Sequence, residues 1–142
     1  MKLDELLCEI EKDSVIDQAN LDSEALKIPL LHAKYYRIFL EETRVFRGMD
    51  TAFASLKKSR IDYYLGRASD EVYANEPLHV KVLKTEIDMY LAADTKLAEM
   101  AARKEMQRSK CEAIEAFIKT INNRSFLIQS AIQWRRFQAG LS

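Results

Sequence analysis

Apolar residues recur three and four apart along nearly the whole chain, the repeat that gathers them on one face of an α-helix. Leu3, Leu6, Leu7 and Ile10 predict a short amphipathic helix over about residues 3–12, with Asp4 and Glu5 suiting the positive end of its dipole. Asp13 to Asn20 reads as a connector, because Asp13-Ser14 and the β-branched Val15 and Ile16 interrupt the repeat. A long helix follows over about 21–65, capped by Asp22 or Ser23 with Glu24 in its first turn. Pro29 removes a backbone donor and clashes with the carbonyl four residues back. The helix therefore kinks near Ile28, or starts at Pro29 after a short turn. Leu31, Tyr35, Ile38, Phe39, Val45 and Phe46 continue its apolar face. Gly48 weakens it by about 1 kcal/mol against Ala and offers room for close packing.

Gly66 ends this helix as a left-handed cap, and residues 68–77 read as a loop closed by Asn75-Glu76-Pro77. A third helix is predicted over about 78–92, although the alternation of Val80 and Val82 also suits a short strand. Asp94-Thr95 caps a last helix over about 94–139, closed by Gly140. Within it Cys111, Ile114, Ile118, Ile121, Ser125, Ile128 and Ile132 step alternately by three and four. Isoleucine at both positions of such a heptad seam favours assemblies of more than two strands. An intramolecular bundle core explains the same seam almost as well. Phe117, Phe126, Leu127, Trp134 and Phe137 lie off it, and this excess of apolar surface tilts the reading toward self-association through the C-terminal helices of 78–142.

The fold class is thus all-α, with one elongated multi-helix protomer of a single domain over residues 1–142. Only 3 Gly and 2 Pro agree with a helix-rich chain. Lys plus Arg equals Asp plus Glu at 22 each, so attraction for a polyanion has to come from local clustering. One segment, 44–67, has such a cluster: Arg44, Arg47, Lys57, Lys58, Arg60 and Arg67 against Asp50 and Asp62. Phe46, Met49, Phe53, Leu56 and Tyr63 line one side of its helix, and Lys57, Arg60, Tyr64 and Arg67 follow the same spacing rotated off that stripe. Cations neutralise phosphates, and Tyr63 and Tyr64 beside them offer flat faces to unpaired bases. Against this stands the plainer reading of a solvated helix face with tyrosines capping a core.

Other chemistry has little to stand on. Cys8 and Cys111 are isolated thiols on apolar helix positions, read as buried side chains in a reducing compartment. His32 and His79 are far apart and have no metal-ligand spacing with either cysteine. A glycine-rich phosphate loop is absent from the sequence, as is any apolar stretch long enough to span a membrane. The expectation is a soluble, intracellular protein that is not an enzyme. Arg103, Lys104, Arg108 and Lys110, interleaved with Glu105 and Glu112, read as a solvated helix face.

The run Lys58-Ser59-Arg60 followed by Asp62-Tyr63-Tyr64-Leu65-Gly66-Arg67 resembles the central motif of the UvsY recombination mediators of T-even-like bacteriophages. The opening (Leu3 to Leu7, Lys12-Asp13, Ile16-Asp17, Leu21, Glu24-Ala25) is similar to that family too. So is the tail, from Ile118-Lys119 through Arg124, Phe126 and Ile128 to Phe137-Gln138-Ala139-Gly140. The resemblance covers residues 1–67 and about 115–142, with 70–113 matching loosely; Pro29 departs from the pattern. It implies a single-stranded-DNA-binding mediator that forms a ring of itself, a hexamer or heptamer. Such a protein engages strands covered by the phage single-stranded-DNA-binding protein and helps load a UvsX-type recombinase, in the cytoplasm of the infected host, with no cofactor and no membrane. Carried over by position, Lys58 and Arg60 would be the DNA contacts. The helix-face argument adds Lys57, Tyr63, Tyr64 and Arg67, with Arg44 and Arg47 beyond. The C-terminal seam would close the ring. A helical adaptor acting only through protein contacts is the reading from another class.

Overall fold

Leu6, Tyr35, Ile114, Phe117 and Ile121 come from three distant stretches of chain, yet they form one buried cluster. The computed structural model describes residues 1–141 and contains helices α1 (Leu3–Ser14), α2 (Leu21–Leu26), α3 (Ile28–Tyr64), α4 (Asp70–Asn75), α5 (Ile87–Ala92), α6 (Thr95–Asn122) and α7 (Arg124–Gln138). The fold is all-α, with no strand among the described residues. The chain divides into two compact units. One takes residues 1–43 together with the chain from 109 onward; the other takes residues 44–108. α3 and α6 each contribute to both.

In the first unit α1, the first turns of α3 and the second half of α6 surround the buried cluster, with Leu3, Ile10, Ile28, Leu31, Ile38, Phe39 and Ile118 packed around it. Tyr35 meets Phe117 edge-on, ring centres 4.6 Å apart, and donates its hydroxyl hydrogen to Asp13 at 2.7 Å. The connector is an Asp17-centred turn, in which the Asp17 carboxylate accepts from the Ala19 amide and the Asn20 side chain. α2 begins at Leu21, one residue before the predicted caps, and lies on α7, where Leu21 and Ile128 are buried. Arg124 ties this corner together: its guanidinium donates to the carbonyls of Asp13 and Val15 and to the buried carboxylate of Glu24.

The joint foreseen at Pro29 falls at Lys27, which ends α2 in a helical turn before α3 starts at Ile28. Pro29 then lies in the first turn, where its missing N–H has no bond to lose. At the other end of α3, Gly66 takes φ 76°, and the amides of Gly66 and Arg67 return to the carbonyls of Tyr63 and Asp62. This is the left-handed cap foreseen, and Gly140 closes α7 in the same way. Gly48 is corrected: a Cβ there would meet nothing within 4 Å, so it serves no close contact.

Three other expectations change. Residues 68–77 are not all loop, because 70–75 form α4, with Asp70 and Glu71 at its positive end. The predicted helix over 78–92 survives only as a 3₁₀ turn at Lys84–Glu86 and α5. Its first part stays non-helical, with Val82 buried and Val80 exposed, so the two valines do not share one buried face as strand alternation would require. The helix over 94–139 is interrupted at Asn123, where two successive asparagines of weak helix propensity precede the Arg124 clasp.

Candidate nucleic-acid interface

In the unit 44–108, the face of α3 that carries Phe46, Met49, Phe53, Leu56 and Tyr63 turns inward. Arg60 occupies the step between Leu56 and Tyr63, and it turns inward too. Its side chain is 6% exposed. Nε donates to the Asp94 carboxylate at 2.7 Å, and the two terminal nitrogens donate to the two oxygens of Glu76, each at 3.0 Å. The guanidinium carbon lies 4.2 Å from the Tyr63 ring centre. Burial by itself disfavours the charge, but the bonds from Glu76 and Asp94 outweigh it and hold the guanidinium pKa above its ordinary value.

Asp94 is the hub. One carboxylate oxygen caps α6 by accepting the Leu97 amide at 2.9 Å; the other accepts both Arg60 Nε and the Tyr64 hydroxyl at 2.7 Å. Its burial would raise the carboxyl pKa, but these donors together hold it below the usual aspartate value. Glu76 is likewise held low, chiefly by Arg60, with Lys96 adding a bond at 3.2 Å. Tyr63 is buried. Its hydroxyl donates to the Glu76 carbonyl at 3.1 Å, and its ring stacks on Tyr73 at 5.4 Å with 21° between planes. Desolvation raises the pKa of Tyr63, and desolvation with the Asp94 bond raises that of Tyr64.

The expectation that Arg60 meets phosphate and that Tyr63 and Tyr64 offer faces to bases is therefore corrected. All three side chains are engaged inside the unit, because Arg60 continues the apolar stripe and draws two carboxylates onto it. Lys57, Lys58, Arg67, Arg44 and Arg47 are exposed. Lys58 is 80% exposed and makes one surface ion pair with Asp62 at 3.0 Å, an interaction worth at most about 1 kcal/mol. Arg44, Arg47 and Lys58 share the outer side of α3, opposite Arg60, through steps of three and four by way of Thr51 and Ser55. Arg67 follows the Gly66 cap.

The second basic cluster is not simply solvated. Lys104 pairs with Asp50 at 3.0 Å and lies over Phe53, and Arg108 lies over Phe46. In the other unit Lys110 pairs with Glu42 at 3.4 Å. The C-terminal seam is corrected as well. Ile114, Ile121 and Ile128 are buried within their own chain, and Cys111 and Ile118 are half-buried, which leaves Ile132 as the seam isoleucine facing solvent. The apolar surface α7 exposes lies elsewhere, at Phe126, Leu127, Trp134 and Phe137. Trp134 and Phe137 stack at 5.6 Å.

Glu76, Asp94 and Tyr73 were not anticipated as partners of the motif. The signal was the step pattern itself: 56, 60, 63 places Arg60 on the apolar face, where a cation requires a carboxylate. Which carboxylate it meets is set by long-range folding. Among the described residues no three His, Cys, Asp or Glu side chains gather to hold a metal ion, and no helix is long and apolar enough to cross a membrane.

Residues 9–141 match the model of a family described as the recombination, repair and ssDNA binding protein UvsY. The recombination protein uvsY of Enterobacteria phage T4 is 24% identical over 140 residues, 99% of each chain. Two crystal forms of the bacteriophage T4 recombination mediator protein UvsY align with TM-score 0.85. One is 23% identical over 96% of this chain and 99% of that chain; the other is 24% identical over 98% of both. At such identity the structural likeness speaks for the fold.

Proposed function

The chain belongs to the UvsY family of recombination, repair and single-stranded-DNA-binding proteins, and from that premise we propose that it is a recombination mediator that holds single-stranded DNA on the outer side of α3. The observation that carries this reading is the row of exposed cations Arg44, Arg47 and Lys58 on that side, flanked by the exposed Lys57 and Arg67, in a chain of zero net charge. Such a row neutralises phosphates and releases counterions without reading sequence. The partners are those of a mediator: a strand covered by the phage single-stranded-DNA-binding protein and a UvsX-type recombinase to be loaded onto it, in the host cytoplasm. No residue is assigned a catalytic role.

One row of this kind binds weakly. Copies arranged in a ring, a hexamer or heptamer, raise the effective concentration of cations along one strand. They also bend the strand, which opposes a competitor's cooperative filament. Because the seam isoleucines are mostly satisfied in their own chain, the self-association face is better assigned to Phe126, Leu127, Trp134 and Phe137 of α7. Apolar side chains exposed side by side on one helix are a surface that a second copy can cover.

The test is a salt titration of oligo(dT) binding with light scattering on the same samples. Affinity should fall with a log–log slope of roughly −0.7 per phosphate contact, and Lys58→Ala should flatten that slope. Affinity indifferent to salt would favour the adaptor that acts only through protein contacts.

A further inference from the structure

α3 opens with an apolar flank that its own chain leaves open. Leu30 is 76% exposed, and Leu26, just before the helix, is 83% exposed. Leu30, Leu31, Ala33 and Ile38 floor a groove of about 520 Å³ along this flank. The floor is fixed from behind, because Leu31 and Ile38 also pack against the buried cluster around Tyr35. Lys27, Lys34 and Arg37 rim the groove, and no carboxylate lines it. Lys27 pairs with Glu24, and Lys34 with Glu9 and Asp13. Arg37 is exposed and has no ionic partner among the described residues.

Charge and shape select what could lie there. The floor has no aromatic ring for a base to stack on, so a DNA strand would gain phosphate contacts alone. α7 of a second copy is apolar and exposed, but it carries Arg135 and Arg136, and no Asp or Glu occurs after Glu115. Cations would then face cations. α1 of a second copy is acidic, but Leu6 is buried in its own core with Leu3 and Ile10 packed around it, so its apolar side is already taken. An extended peptide finds no strand edge among the described residues, whereas a helix satisfies its own backbone and needs only side-chain contact. Residues 28–38 give such a helix a track of roughly 15 Å, about three turns.

We propose that this groove is a docking site for an acidic amphipathic helix of a partner protein. Apolar side chains of that helix, three and four apart, lie on Leu30, Leu31 and Ile38, and its flanking carboxylates meet Arg37 and Lys27. Such docking goes beyond DNA binding and does not depend on it, because none of Arg44, Arg47 and Lys58 lines the groove.

The experiment is fluorescence anisotropy with the full-length protein and two labelled synthetic peptides of about sixteen residues. Both have leucines at i, i+3, i+4 and i+7, flanked by Glu in one and by Lys in the other, with Ala elsewhere. Light scattering is recorded on the same samples. Wild type should bind the Glu peptide at least about tenfold more tightly than the Lys peptide. Arg37→Glu should weaken the Glu peptide about tenfold, and Leu30→Asp at least as much. Met106→Asp, at an exposed apolar position on α6, should leave it unchanged. Failure of wild type to bind the Glu peptide, equal binding of the two peptides, or unchanged binding by both groove variants would overturn the proposal. So would full displacement of the peptide by oligo(dT), which would assign the groove to DNA. A smaller mass for Leu30→Asp alone would overturn it as well, by showing that a second copy covers the groove. Should Leu30→Asp melt early, Arg37→Glu decides, because that side chain has no ion pair to lose.

Discussion

Lys58 and Arg60 stand one residue apart on α3 and face opposite ways: the lysine side chain is 80% exposed, the arginine 6%. They belong to one motif but do different work. Removing Arg60 leaves Asp94, itself buried, without its guanidinium partner. Arg60→Ala is therefore expected to cost about 3 kcal/mol of stability, read as an early melt by circular dichroism. Lys58→Ala should keep the wild-type melt and reduce the salt slope of oligo(dT) binding by about 0.7. Normal stability in Arg60→Ala would mean that the cluster around Asp94 does not hold in solution.

Gly48 offers a gain. Its position is mid-helix and exposed, and an added Cβ meets nothing. Gly48→Ala should stabilise the protein by about 1 kcal/mol, seen as a higher melting temperature. A lower one would reveal a neighbour covering that side of α3.

Acid should act on both units. Glu76 is held low chiefly by Arg60; Asp94 and Asp13 are held low against their own burial, Asp94 by Tyr64, Leu97 and Arg60 and Asp13 by Lys34 and Tyr35. A carboxyl whose folded pKa lies below its unfolded one binds fewer protons when folded, so acid favours the unfolded chain. Their contribution is complete above the ordinary carboxylate range, about pH 4–5, and is lost as pH falls through the lower folded values. Urea midpoints should be level from neutral pH down to that range and then drop. A midpoint that rose in this interval would contradict the pairings.

Core and surface on the C-terminal helices separate by substitution. Ile121 is fully buried and Phe137 is 70% exposed. Ile121→Asp puts a carboxylate into the core and should prevent folding of the unit it belongs to, at a cost above about 4 kcal/mol. Phe137→Asp should keep the melt and shift light scattering toward monomer. Unchanged mass in Phe137→Asp would move self-association to another surface.

Periodicity in the sequence was enough for the all-α class, α1, the joint beside Pro29, and the caps at Gly66, Asp94 and Gly140. Each of these depends on residues within one or two turns, where backbone sterics and a single side chain decide. The breaks at 78–86 and Asn123 were not legible, because neither contains a proline or glycine inside the stretch. There the weak local preference yields to packing of Val82 and to the hold of Arg124 on Asp13, Val15 and Glu24. The motif at 58–67 was visible as charge and aromatics, and the step from Leu56 through Arg60 to Tyr63 already placed the arginine inward. What the sequence by itself determined was which side of each helix is apolar. The tertiary structure decided what covers that side: Glu76 and Asp94 reach Arg60 from 16 and 34 residues away, and Ile114 and Ile121 close against Leu6 and Tyr35 rather than against another copy. A helical repeat records only that a face must be buried, since the hydrophobic effect is non-directional and does not name the partner.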